Sequence, residues 1–154
     1  MLERQIRSYM SERGSVFRAL VFGSVDSTNT VLAGLAREGA EEYTAVIAGA
    51  QTAGRGRGEH KFFSPAGCGV YFSLLLRPRI PAEAAAKLVT PACAVAAAEA
   101  IENVSGETAG IKWVNDVFLR GRKVCGILTE AAPDGRGGLA WVIPGIGINV
   151  TPPP

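Results

Sequence analysis

The stretch from 110 to 150 constrains the fold of this chain more than any other. Three apolar-rich runs, GIKWVNDVFL (110–119), VCGILTEAA (124–132) and LAWVIPGIGINV (139–150), are separated only by RGRK and PDGRGG. Parallel neighbours need a crossover of a dozen residues or more, so links this short force antiparallel pairing. The first half reads differently. RALVFGSV (18–25), TAVIAGAQ (44–51) and VYFSLLLRP (70–78) have strand composition, but a helical pattern from Ser27 to Arg37 separates the first two. Ser27 or Thr28 offers its N-cap, Val31, Leu32 and Leu35 its apolar face, and Gly39 its stop. An alanine-rich helix is predicted over Pro81 to Asn103, kinked or split at Pro91, which lacks the N–H a helix interior needs. Residues 2–10 have the pattern of a short amphipathic helix. The expected architecture is α+β, with one mixed, largely antiparallel sheet backed by helices. At 154 residues, positions 1–154 form a single domain.

Charge narrows the function classes. The net charge of +2 gives no basic face of the kind nucleic acid demands. The cations are instead bunched, with Arg55, Arg57 and Lys61 in one short stretch and Lys112, Arg120, Arg122 and Lys123 in another. Local anion binding explains that distribution. Cys68, Cys93 and Cys125 are widely spaced and form no CxxC pair, which reads as free thiols in a reducing compartment. His60 is the only histidine, so no His–Cys metal cluster is available. The N-terminus lacks the apolar run of a signal peptide, and the stretch 84–101 is interrupted by Lys87, Pro91 and Glu99. A cytoplasmic protein that neither spans a membrane nor binds nucleic acid is expected.

Four short stretches carry candidate chemistry, and each admits two readings. GRGR (54–57) is either a flexible surface loop or a loop whose backbone N–H groups face an anion. It fits neither GxxxxGK[ST] nor GxGxxG. The adjacent Phe62 and Phe63 favour a contact or a lid. In KWVND (112–116), Asn115 and Asp116 are either turn residues at a β-bulge or neighbours of a lysine aimed into a cleft. Ser27-Thr28-Asn29 is an N-cap or a polar ligand contact. In GIGIN (145–149) the alternating glycines serve packing or the close approach of a ligand.

Taken in order, these stretches resemble the catalytic domain of biotin protein ligases (holocarboxylase synthetases). The resemblance rests on STN (27–29), QTAGRGR (51–57) followed by FFSP (62–65), KWVND (112–116), RKVCGILTE (122–130) and GIGIN (145–149). It covers roughly residues 20–150. It implies a sheet of the class II aminoacyl-tRNA synthetase and biotin synthetase type. It also implies activation of biotin with MgATP to biotinyl-5′-AMP, followed by transfer to a lysine of a biotin carboxyl carrier domain. By the same resemblance, Lys112, Arg57 and Arg55 are the catalytic cations. Ser27, Thr28, Asn29, Gln51, Gly54, Arg55 and Lys112 are placed at biotin, and Arg57, Phe62, Phe63, Asn115 and Asn149 at ATP or the adenylate. Asp116 is the candidate Mg²⁺ ligand. The glycine–arginine loop would close over the reactive adenylate, and the family's assemblies are monomers or homodimers through sheet edges or surface contacts.

The sequence departs from the family pattern in three ways. Gly58-Glu59-His60 replaces a continuation with a further arginine, Val114 stands where proline is usual, and the chain ends just after GIGINV. On the resemblance, an N-terminal helix-turn-helix domain and a C-terminal β domain are expected to be absent. A shortened module that binds biotin or its adenylate without turnover is the alternative from a different class. A lipoate or octanoate ligase relative is the alternative enzyme.

Overall fold

The structure, a computed structural model, describes Ser8 and residues 16–152. The short helix predicted over 2–10 falls, apart from Ser8, outside them. Seven strands form one sheet in the order β1-β2-β3-β7-β6-β5-β4. They are β1 (Arg18–Phe22), β2 (Thr44–Ala48), β3 (Gly69–Leu74), β4 (Gly110–Lys112), β5 (Asp116–Leu119), β6 (Arg122–Pro133) and β7 (Leu139–Asn149). Among residues 16–152, two helices accompany them, α1 (Thr28–Arg37) and α2 (Ala82–Ser105). Only β1 and β2 pair parallel, and α1 is the crossover that a parallel pair requires. The other neighbours are antiparallel, as the short links of the second half dictate.

Strand parity decides which face each helix covers. In β6 and β7, Cys125, Ile127, Ile146 and Ile148 lie on one face and pack against Ala94, Ala97 and Ala98 of α2. Trp141 and Ile143 lie on the other face, in a cluster with Leu32 and Ala36 of α1, Val46 and Leu75. Gly126, Leu128, Gly145 and Gly147 alternate onto the α1 face. The helix reaches Gly145 through Asn29 but leaves Gly126, Leu128 and Gly147 without cover from it. A floor of small side chains therefore stays open beside the start of α1.

Three local expectations change. Pro91 does not split α2, which is one helix of 24 residues. The carbonyl that Pro91 leaves without a partner is that of Lys87, a residue on the exposed side of the helix. Residues 110–119 are two strands rather than one, since the chain reverses between Lys112 and Asp116, which face each other in the β4–β5 ladder. The only ladder irregularity near this turn lies further on, between Val117 and Phe118. Ser27 occupies the N-cap of α1 in extended backbone conformation, yet its side chain makes no capping hydrogen bond. Past the other end of α1, the Arg77 guanidinium donates to the carbonyl of Ala36 in the last turn at 3.3 Å and to that of Ala40 in the following loop at 2.9 Å, so one of the groups a helix end leaves open gains a partner.

The α2 helix is long and apolar enough to cross a bilayer by length and composition, but one of its faces packs on the sheet through Ala94, Ala97 and Ala98. Cys125 and Cys93 belong to that same packed layer. Burial pushes their thiols up to about 12 and about 11. Both therefore stay protonated at neutral pH and behave as small apolar side chains.

Candidate active site

A cleft of about 490 Å³ opens on the uncovered floor. Its walls come from the start of α1, the glycine–arginine loop, and strands β5, β6 and β7. The loop is a small hairpin. Phe62 N–H donates to the Gly54 carbonyl at 2.9 Å, Gly56 N–H to the His60 carbonyl at 2.7 Å, and Arg55 bridges Lys61. Gly54 is required by close approach, because a Cβ there would overlap the Phe62 carbonyl oxygen and crowd Ser64 Oγ. The glycines of GIGIN answer to side chains. A Cβ on Gly145 would overlap the Asn29 amide, and one on Gly147 the Phe62 ring. Gly126 lies beneath that same ring and beneath the Lys123 side chain. Glycine at 126 and 147 thus provides a flat bed, at present filled by an aromatic ring.

The inner end of the cleft is polar. Ser27, Thr28 and Asn29 are all buried. Gln51 Oε1 accepts from Thr28 N–H at 2.8 Å, and Gln51 Nε2 donates to Ser64 Oγ at 2.8 Å. Asn29 Nδ2 donates to Glu130 Oε2 at 2.8 Å and to the Leu128 carbonyl at 3.2 Å. The Gln51 amide is therefore committed to holding α1 against the loop.

The cations divide into three settings. Arg55 pairs with Glu130 Oε2 at 2.6 Å, so its charge is already balanced by a carboxylate that also holds Asn29. Arg57 reaches Asn115 Oδ1 at 3.3 Å and lines the cleft. Lys123 extends over Gly126 to Asp116 Oδ1 at 2.7 Å and also lines the cleft. Lys112 is not in the wall of the cleft. It shares the Asp116 face by register, but its ammonium stands 6.0 Å from the centre of the Phe118 ring. The structure thus gathers Ser27, Thr28, Asn29, Gln51, Arg55, Arg57, Phe62, Asn115 and Asp116 around one cavity and leaves Lys112 outside.

A second cleft of about 570 Å³ lies on the far side of Phe62 and shares Lys61, Phe62 and Lys123 with the first. Phe63 and Asn149 line this one. Phe63 is 71% exposed. Tyr71 completes the wall. Its phenol donates to the Pro65 carbonyl at 3.0 Å, and burial, followed by neighbouring Cys68, pushes its titration upward.

A metal held by the protein finds little here. The Asp116 carboxylate is engaged by Lys123 and by Asn115 Nδ2 at 2.9 Å. Among the described residues, no three His, Cys, Asp or Glu side chains stand together. The donor set does not fit a resident Mg²⁺, which wants several hard oxygen ligands.

Residue-type reasoning missed Lys123, Glu130 and Ser73. Lys123 and Glu130 stand within RKVCGILTE, a signal already in view, but their roles emerge only from the β5–β6 register and the loop position. Ser73 reaches Asn29 Oδ1 and Thr28 Oγ1 across a separation of about 45 residues, which no local pattern announces.

Comparison with known proteins follows the same geometry. A profile of the biotin/lipoate A/B protein ligase family matches residues 21–149. The bifunctional ligase/repressor BirA of Bacillus subtilis (strain 168) is 44% identical over 131 residues, covering 84% of this chain and 39% of that protein. The biotin–[acetyl-CoA-carboxylase] ligase of Mycobacterium tuberculosis is 36% identical over 166 residues, covering 99% of this chain and 57% of its own length. The biotin protein ligase from Aquifex aeolicus, solved in complex with biotin and ATP, superposes with a TM-score of 0.71 at 34% identity. That alignment covers 89% of this chain and 54% of the other. The chain therefore spans roughly 40–60% of the length of these relatives.

Proposed function

We propose, from the premise that this chain belongs to the biotin/lipoate A/B protein ligase family, that it activates biotin with ATP and passes the biotinyl group to a lysine of a carrier domain. One observation carries the reading. The cleft joins a neutral, buried polar end at Ser27 and Thr28 to a charged end that holds Arg57 and the Lys123–Asp116 ion pair, across a glycine bed. A biotin-like acid has that polarity, with an uncharged ring at one end and a carboxylate at the other.

In the first step a biotin carboxylate oxygen attacks the α-phosphorus of ATP. The bond from that phosphorus to the bridging oxygen breaks, and pyrophosphate leaves with the electron pair. No proton need be removed, because the carboxylate is ionised at neutral pH. The protein's task is to hold two anions together, and Lys123 and Arg57 are the cations placed to do so. Lys112 joins them only by leaving its position over Phe118. The triphosphate is assigned to the second cleft, with Phe63 and Asn149 on the adenine side and Phe62 shared between the two halves. Any Mg²⁺ would travel with the triphosphate, held by phosphate oxygens and water.

In the second step a neutral lysine amine of the carrier attacks the acyl carbon. The C–O bond to the phosphate breaks, AMP departs and the amine loses a proton. Until then the mixed anhydride must be kept from water, a task that suits the hairpin 54–62 with Phe62 at its base. A carboxyl carrier domain as partner, a cytoplasmic location, the lack of a nucleic-acid partner and a homodimeric state belong to this proposal.

The test uses ATP labelled at the α-phosphate. Label is expected in biotinyl-adenylate only when biotin is present, with lipoate and octanoate failing to compete. Label that appears with lipoate or octanoate but not with biotin would assign the chain to the other branch of the family.

A further inference from the structure

Ser73 carries no role in the account so far, yet it is the most unexpected residue in the floor. It is fully buried in β3, on the same face as Val46, Gly145 and Gly147. Such a position ordinarily takes an apolar side chain. Its hydroxyl lies 2.5 Å from Asn29 Oδ1 and 2.7 Å from Thr28 Oγ1.

The protons of this cluster can be placed. Asn29 Nδ2 faces a carboxylate and a carbonyl, both of which only accept, so Asn29 Oδ1 is the atom turned to Ser73. That oxygen needs a donor, and the single Ser73 proton goes there. From the other side, Gln51 Oε1 is fixed by the Thr28 N–H, and Gln51 Nε2 by Ser64 Oγ, which donates onward to the Phe62 carbonyl at 3.0 Å. The Thr28 hydroxyl proton is left with two acceptors, Ser73 Oγ at 2.7 Å or Gln51 Oε1 at 3.1 Å. Both belong to the protein. Only lone pairs of Thr28 Oγ1 then face the cleft. Beside it no partner is recorded for the Ser27 hydroxyl among the described residues, and Ser27 lines the cavity.

We infer that Ser73 is a positioning residue that fixes the Thr28 hydroxyl as a hydrogen-bond acceptor, and so selects acids whose ring presents an N–H donor. This rests on the ligase reading and deepens it. A ureido ring offers an N–H to Thr28 and a carbonyl to the free Ser27 hydroxyl. A dithiolane ring or an alkyl chain offers neither, and would bury the acceptor without a partner.

Affinities for biotin and for biotin methylated on its ureido nitrogens test this, measured calorimetrically on the wild-type chain and on Ser73→Ala. The wild type is expected to prefer biotin by roughly 10²-fold or more, as sites built around one hydrogen bond do. In Ser73→Ala the preference is expected to shrink at least tenfold. The Thr28 hydroxyl then keeps only the longer contact to Gln51 Oε1 at 3.1 Å, an oxygen already taken by the Thr28 N–H, and can turn its proton into the cleft. Ser73→Thr keeps the donor and is expected to keep the preference, which separates polarity from packing and serves if Ser73→Ala fails to fold. An unchanged preference in a folded Ser73→Ala that still binds biotin would overturn the role of Ser73 alone. Loss of the preference in both variants would assign Ser73 to packing and overturn it as well. A wild type that binds neither ligand would remove the ligase reading and this inference together.

Discussion

Replacing Lys123 with methionine is expected to lower the rate of adenylate formation by about 10²–10³-fold, the usual consequence of removing a preorganised charge from a reacting anion. The reason is position. Lys123 is the ammonium that lies over Gly126 and borders both clefts, where the carboxylate and the α-phosphate of a two-part substrate have to meet. Methionine keeps the length and the contact with the glycine bed while removing the charge. The Asp116 carboxylate loses its cation but keeps the bond from Asn115 Nδ2, so the fold should tolerate the change. Lys112→Ala, on an exposed edge-strand residue, is expected to act more weakly. Single-turnover formation of the adenylate at saturating biotin and ATP checks both variants. A larger loss from Lys112→Ala than from Lys123→Met would mean that closure carries Lys112 into the site and that the charge assignment must be reversed.

Gly54→Ala is expected to abolish retention of the adenylate, raising its dissociation rate by two orders of magnitude or more. The added Cβ would meet the Phe62 carbonyl oxygen, a backbone atom that cannot rotate away, and would press on Ser64 Oγ. Both atoms belong to the contacts that set the hairpin, namely the Phe62–Gly54 hydrogen bond and the Gln51–Ser64–Phe62 chain. Overpacking of this kind costs about 1–3 kcal/mol, and here it falls on the loop that must exclude water. Gly34→Ala is the fitting control. A Cβ there meets nothing within 4 Å, and in a helix interior alanine is favoured over glycine by about 1 kcal/mol. Rapid-dilution release of labelled adenylate measures the effect. Wild-type retention in Gly54→Ala would show that the hairpin is not the lid.

The sequence made much of the fold readable because its links are short. RGRK and PDGRGG leave only antiparallel pairing, and β6 and β7 lie where those turns put them. The α1 helix is equally legible from Ser27, Leu32 and Gly39, whereas its part as a parallel crossover appears only with the β1–β2 pairing. What stayed hidden was what depends on register. Turn chemistry is visible at Asn115 and Asp116, but that the chain reverses at 113–115 to make β4 and β5 two strands is settled only by their pairing. Pro91 does not end its helix, because the cost of a proline depends on where the freed carbonyl points.

The site shows the same division. Ser27, Thr28, Gln51, Arg57 and Phe62 were found by residue type and motif, and the structure brings them together. Lys123, Glu130 and Ser73 were not, because parity along a strand has meaning only once the sheet is paired. The charge of Arg55 is likewise legible only with Glu130 in place at 2.6 Å, and the commitment of Gln51 only with Thr28 and Ser64.

The most direct measurement is the intact mass of a biotin carboxyl carrier domain after incubation with this chain, biotin and MgATP. A single biotinyl adduct on one lysine, formed with wild-type protein and absent with Lys123→Met, is the expected result. A carrier left unmodified by a wild-type chain that also makes no biotinyl-adenylate would contradict the account.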